Sequence, residues 1–255
     1  MRFASLGSGS EGNGLVVEAG HSRVLLDCGF SITETVRRLQ RLGLQPDGLD
    51  ALLVTHEHDD HVGGVARFAR KFGIPVYLTH GTHAASVNGS AVFPGAVIID
   101  SHTPFAVGDI EMFPYPVPHD AREPTQFVFS DGKSRLGVLT DTGSSTPHIE
   151  TMLSGLDALV IECNHDRDML AGSAYPERLK ARIGGRLGHL DNGQAAQIVA
   201  GIDTQRLKHV IAAHLSQKNN HPDLAASALA SALNCAPDWI GVASQADGFA
   251  WRMLA

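Results

Sequence analysis

The sequence predicts a layered α/β sandwich: two β-sheets covered by helices, built as one domain over residues 1–255. Three observations lead there. Short apolar, strand-like runs recur along the whole length. Helical periods fall irregularly among them, which does not match a pure parallel βαβ series. No linker, internal repeat or low-complexity tract divides the chain. At 255 residues, 43% hydrophobic and 18% charged, the chain is long enough and apolar enough to bury a substantial core.

The elements follow in order. Residues 3–6, 15–18 and 23–27 read as strands separated by polar or glycine-rich turns. Gly7, Gly9, Gly12 and Gly14 form the first connection, and their spacing is neither a P-loop nor GxGxxG opening a helix. Ile32, Val36, Leu39 and Leu42 repeat with a helical period, and Gly43 is placed to cap the C-terminus. A short strand at 51–54 precedes a helix at 62–72, which Asp59 or Asp60 can start and Gly73 and Pro75 end. Strands are expected at 76–78, 96–100, 105–107, 110–116, 126–130, 135–140, 158–162 and 209–213, with Asp131-Gly132 as a hairpin turn. Helices are expected at 176–183, 192–201 and 222–233. Segments 239–242 and 248–253 are expected to close the second sheet.

Composition narrows the class. No apolar run approaches the ~20 residues of a membrane span. The start, MRFASLGSGSEGNG, lacks a charged n-region followed by an apolar h-region, so no signal peptide is expected and the location expected is cytoplasmic. Cys28, Cys163 and Cys235 are odd in number and without a CxxC pair, which argues against a disulfide framework. A formal charge of -7 counts against a groove-filling nucleic-acid binder, but 14 histidines suggest bound cations that would change the local charge.

The chemistry concentrates in VTHEHDDHVGG. His56, His58, Asp60 and His61 sit between a strand end and a helix start, where they can converge. Imidazole and carboxylate suit Zn, Mn or Fe, and two ligands can serve one ion while two serve a neighbour. Four side chains do not fill two such sites, so distant partners are needed. His119, Asp141 and His214 each follow an apolar strand, where a sheet edge presents side chains to a common cleft. They complete the set, with Asp141 free to bridge two divalent ions.

THEHDDHVGG, His119, Asp141 in LTDTG and His214 in AAHLS resemble the metallo-β-lactamase superfamily over essentially the whole chain. The resemblance implies a four-layer αββα sandwich with a dinuclear centre at one rim. His56, His58 and His119 would hold one ion and Asp60, His61 and His214 the other, with Asp141 bridging. Asp27, in LLDCG, would support the site without ligating. Members that hydrolyse β-lactams usually carry Cys at the position of Asp141, so the phosphodiesterase and thioesterase branches fit better. SLGSGSEGNG, ECNHD, YPERLKARIGGRLGHLDN and HLSQKNN resemble the YycJ/WalJ group, with Asp191 where a Ser is expected.

That group implies a 5′ to 3′ exonuclease acting on DNA; RNA is the alternative nucleic-acid substrate. The ions would lower the pKa of bound water toward ~7 and a bridging hydroxide would attack phosphorus in line. His165 and His189 are expected, beside Asp141, as the catalytic side chains that touch the scissile phosphate or the leaving group. Asn164 and Asn192 could donate to phosphate oxygens, and Ser216 and Asn219 could orient the loop after His214. Asp59 is read as a helix cap. Arg178, Lys180, Arg182 and Arg186 could give the cleft local positive charge. Few aromatics are available for base stacking, so recognition of the backbone is expected. The competing readings are a glyoxalase II-like thioesterase or lactonase with the same ligands, and a scaffold with a structural metal.

Overall fold

The computed structural model describes residues 1–88, 91–93 and 95–254. Its first half opens with an antiparallel meander, β1 (Arg2–Gly7), β2 (Gly14–Ala19) and β3 (Ser22–Leu26). Parallel β4 (Ala51–Leu53), β5 (Val76–Thr79) and β6 (Ala96–Ile99) extend the sheet. They are joined through α1 (Ile32–Arg41), α2 (Asp59–Val62), α3 (Val65–Phe72) and α4 (His80–Asn88). The second half repeats the plan. An antiparallel run of β7 (Phe105–Val107), β8 (Ile110–Pro116), β9 (Thr125–Ser130) and β10 (Arg135–Leu139) passes into parallel β11 (Ala158–Glu162), β12 (His209–Ala213) and β13 (Gly241–Val242). Here the helices are α5 (Pro147–Leu153), α6 (Arg167–Gly172), α7 (Glu177–Ile183), α8 (Asn192–Gly201) and α9 (Pro222–Leu233).

Four layers need three apolar interfaces, and three buried clusters fill them. The two-residue side-chain alternation of a strand assigns each cluster. Val24 and Leu26 face the other sheet while Leu25 faces the helices over the first sheet. Val160 points between the sheets while Leu159 and Ile161 point to the helices over the second. Strands buried on both faces read as continuous apolar runs, which is why VLL and ALVI show no polar alternation. Each fully buried Leu, Ile or Phe contributes ~1.5–3 kcal/mol from apolar area alone.

Several expectations need correction. Residues 248–253 do form a strand, β14 (Phe249–Met253), but it pairs antiparallel with β1 at the edge of the first sheet and does not close the second. The helix expected at 62–72 breaks at Gly63 and Gly64, where the Gly64 N–H donates to the Cys28 carbonyl at 2.8 Å and the Asp60 carbonyl accepts from the Asn13 N–H at 2.8 Å; a Cβ on Gly64 would stand 2.0 Å from the Phe30 carbonyl oxygen. Helices α4, α5 and α6 were not anticipated; α5 is capped by the Thr146 hydroxyl, which accepts from the Ile149 N–H. Asp191, at the position of the expected Ser, caps α8 through a reciprocal box with Gln194, so a carboxylate serves where a hydroxyl would. No helix among the described residues is long and apolar enough to cross a membrane.

Candidate metal centre

The polar residues collect where parallel strands of both sheets end. Asp27 and His214 are the residues directly after β3 and β12, Asp141 is the second residue after β10, and Asp27, Asp141 and His214 all have positive φ, 60°, 49° and 54°. Left-handed backbone at a non-glycine residue costs ~1 kcal/mol or more and persists only where the surroundings impose it. Here it occurs at the strand ends that deliver the site.

Two groups of ligand atoms result from the expected residues, and a third set, Asp141, Glu162, His189 and His214, overlaps the second. In the first, His58 Nδ1 lies 3.0 Å from His56 Nε2 and 3.2 Å from His119 Nε2. In the second, His61 Nε2 stands 3.0 Å from Asp141 Oδ2 and 3.4 Å from Asp60 Oδ2, and His214 Nε2 is 3.3 Å from the same Asp60 oxygen. A tetrahedral zinc with Zn–N near 2.0–2.1 Å has ligand-to-ligand edges of about 3.3 Å. Asp141 belongs to the second group and its Oδ1 reaches to 4.0 Å from His119 Nε2 of the first, so its carboxylate lies between them.

The other ring nitrogens are held from behind. Asp27 Oδ2 accepts from His61 Nδ1 at 2.8 Å, and Glu162 Oε1 from His214 Nδ1 at 3.0 Å. The Gly188 carbonyl accepts from His119 Nδ1 at 3.0 Å, and Thr55 Oγ1 meets His56 Nδ1 at 3.0 Å. Such partners fix ring orientation and tautomer, leaving the facing nitrogen's lone pair for a cation. Thr55 in turn donates to Asp27, so the support is continuous.

Electrostatics agree with a cation-binding cluster. Burial, with the neighbouring His61, drives the His56 imidazole well below its ordinary value and keeps it neutral. Burial also opposes charge on His61, but Asp141, Asp27 and Asp60 outweigh it and raise that ring. His214 is raised to about 10 against its own burial, chiefly by Asp141 with bonds to Asp60 and Glu162. Burial would push the Asp141 carboxyl up, but His214 and His61 hold it well below the usual range. Without a cation, buried carboxylates keep protons on these rings; a divalent ion would displace them. Among the described residues Asp141 Oδ2 is buried without a hydrogen bond of normal geometry although it stands 3.0 Å from His61 Nε2, an orphaned acceptor of the kind a cation would satisfy. The donor set therefore fits divalent metal.

An open cleft of about 360 Å³ lies over this centre, and its lining includes Asp60, Asp141, Asn164, Tyr175, Arg182 and His189. His189 donates from Nδ1 to Glu162 Oε1 at 2.8 Å, and no other side-chain hydrogen bond occupies the ring among the described residues. Burial would lower it, but Glu162 and Asp141 raise it above its ordinary value. His165 does not line the cleft. It is 2% exposed, joins neither ligand group, and pairs along the backbone with Asp191. Asn164 donates to the His214 carbonyl at 3.1 Å and so braces that loop, while Asn192 exchanges amide bonds with Asn220 and is absent from the cleft wall. Ser216 Oγ accepts from the Asn219 N–H at 3.2 Å. Of the basic residues, Arg182 reaches the cleft with its Nε bonded to Asp120 at 2.7 Å, and Lys180 is engaged by Glu177 and the Ala171 carbonyl. Arg178 and Arg186 are exposed.

Sequence reasoning missed Glu162 and Asn13. Glu162 is fully buried and also accepts the backbone N–H groups of Thr142 and Leu190. A lone acid ending the apolar run ALVIE was the available signal, since a buried carboxylate needs partners. Asn13, in the glycine-rich loop, donates to the Asp60 carbonyl at 3.3 Å and to Asp60 Oδ2 at 3.2 Å. Nothing local in SLGSGSEGNG indicates that contact.

A four-layer sandwich that joins histidine and carboxylate clusters at its strand ends defines a metal-dependent hydrolase of the metallo-β-lactamase fold. A family model described as a beta-lactamase superfamily domain matches residues 22–214, and the chain belongs to that superfamily. Within it the similarity is to the YycJ/WalJ group. The chain is 35% identical over 239 residues to exodeoxyribonuclease YycJ of Bacillus anthracis, covering 91% of this chain and 89% of that one. It is 33% identical over 248 residues to exodeoxyribonuclease WalJ of Streptococcus pneumoniae, covering 95% and 91%. Among solved structures, the metallo-β-lactamase fold protein YhfI of Bacillus subtilis superposes with a TM-score of 0.77 over 98% of both chains at 16% identity, a likeness of fold.

Proposed function

We propose that the chain is a dinuclear metal phosphodiesterase that removes nucleotides from DNA, as a 5′ to 3′ exonuclease. The observation that carries the reading is the pair of adjacent ligand groups, with Asp141 of the second reaching to 4.0 Å from His119 of the first, in a chain alike over nine-tenths of its length to enzymes named exodeoxyribonucleases. His56, His58 and His119 would hold one divalent ion, and Asp60, His61 and His214 the other, with Asp141 shared. Bound there, Zn, Mn or Fe would supply Lewis acidity at a phosphoryl oxygen and an acidified water.

The remaining roles belong to the chain. Arg182 faces the cleft and can turn from Asp120 to a phosphate oxygen. His189, whose hold on a proton Glu162 strengthens, is placed to pass its Nε2 proton to the departing oxygen of the sugar. His165 would act through the Asp191 and Asn192 backbone that it pairs with, setting the start of α8. The acid at position 141 in place of Cys keeps the shared ligand hard, which suits oxygen-rich phosphate chemistry.

The test is end-labelled DNA digestion beside bis-p-nitrophenyl phosphate, S-lactoylglutathione and an acyl-homoserine lactone, under Mn and under Zn. Asp141→Ala should lose metal and nearly all hydrolysis. His189→Ala should keep its metal and lower turnover by about 10²-fold or more, in the range typical of a lost general acid. Preferred turnover of the thioester or lactone by the wild type would replace this reading with the glyoxalase II-like one.

A further inference from the structure

The cleft does not stop at the metal centre. Asp59, exposed on the first turn of α2, lines it and also lines two hollows on the far side of the loop that carries His56 and His58. One, of about 520 Å³, lies between α3 and α4; the other, of about 560 Å³, reaches back to Phe30. Arg67 borders both and Arg70 borders the first. Neither guanidinium forms a salt bridge among the described residues, and the one bond of Arg70 is a 3.5 Å contact with the Val92 carbonyl.

The interior of the first hollow is unusual. Among the described residues Ser86 Oγ and Glu57 Oε2 are buried there without a hydrogen-bond partner, although Glu57 Oε1 accepts from the Arg122 N–H at 2.7 Å. Its walls are mixed, with Val62, Ala66 and Val92 beside the polar groups of Glu57, Ser86, Arg67 and Arg70. A buried acceptor left unpaired costs ~1–3 kcal/mol, which a ligand's N–H group would recover. Unpaired guanidinium groups at the mouth call for an anion. A base bearing an amino group, attached to a phosphate backbone, has both features.

We infer that these hollows form a nucleotide subsite: a base sits against Ser86 and Glu57, and Arg67 and Arg70 hold backbone phosphates next to the scissile one. The inference rests on the phosphodiesterase reading and adds to it where the substrate strand runs. Asp59, the acid between the two faces, keeps the strand arched over the loop by repelling phosphate from its crest.

The experiment compares wild type with Arg67→Ala/Arg70→Ala. Binding of a fluorescein-labelled single-stranded decamer is followed by anisotropy in EDTA across a salt series, and turnover of the decamer and of bis-p-nitrophenyl phosphate is measured under Mn. Losing two phosphate contacts should weaken decamer binding about ten-fold near ~0.15 M salt and shrink the log–log salt slope by about 1.4. The ratio of kcat/KM for decamer to that for bis-p-nitrophenyl phosphate should fall about ten-fold. An unchanged slope, or equal losses on both substrates, overturns the subsite. Wild type should also prefer an amino-bearing base over thymine there, and Ser86→Val should reduce that preference; a wild type blind to the base overturns the base pocket. A wild type that binds and cleaves no oligonucleotide, but hydrolyses thioesters, overturns the phosphodiesterase reading itself.

Discussion

Replacing Glu162 by Gln tests how the site is held. The change keeps the shape and removes one acceptor oxygen. In the native site Oε1 accepts from His189 Nδ1 and His214 Nδ1, and Oε2 accepts from the N–H groups of Thr142 and Leu190, all at 2.8–3.1 Å. Burial would raise this carboxyl, but His189 and His214 draw it down to about 2, so it is ionised at any working pH. An amide can serve only one side. If its NH2 faces the backbone, two buried N–H groups lose their acceptor at ~1–3 kcal/mol each, so stability falls by about 2–6 kcal/mol. If its NH2 faces the rings, His214 must accept at Nδ1 and carry its proton on Nε2, the atom that faces Asp60, and metal affinity falls about 10–100-fold. Chelator-competition titration with Zn and thermal melts with and without EDTA separate the outcomes. Wild-type affinity together with a wild-type Tm would refute the assignment of Glu162 as the residue that orients His214.

Gly29→Ala should disturb the centre from outside it. A Cβ there would stand 1.9 Å from the Asp60 carbonyl oxygen, so the backbone that carries a ligand must move. The expected result is lower metal content after dialysis, read by elemental analysis, and full occupancy would contradict it. Alkylation should be selective. Burial pushes the Cys28 thiol up to about 12 and raises Cys163 further, whereas Cys235 is half-buried. At Cys28 that leaves about a thousandfold less thiolate than an ordinary thiol has. Iodoacetamide at mild alkaline pH should therefore mark Cys235 alone by mass spectrometry, with the other two reacting only in denaturant. Early labelling of Cys28 would mean that the turn behind the first sheet opens.

The legible parts of the fold and site were those with local causes. HEHDDH announces itself because its polar side chains are neighbours in sequence and sit against an apolar run. His119, Asp141 and His214 could be picked out because a strand end is a short-range pattern. Glu162 and Asn13 act through residues far along the chain, so their meaning depends on packing. The pairing of β14 with β1 was missed for a related reason: alternation shows that a strand exists and does not show which sheet edge it joins. Helix α4, HGTHAASVN, has few strong helix formers and is held by its position beside β5 and β6. The split between α2 and α3 follows from the bonds of the Gly64 N–H to Cys28 and of the Asp60 carbonyl to Asn13.

The return of β14 to β1 has a consequence for how the molecule is made. Strand β1 keeps one flank of N–H and C=O groups uncovered until residues 249–253 dock against it. A chain in which β14 has not yet docked is therefore exposed along that flank, and strands with open flanks recruit one another. Any change that slows the docking of this closing strand should reduce the yield of protein well before it affects the chemistry of the finished molecule.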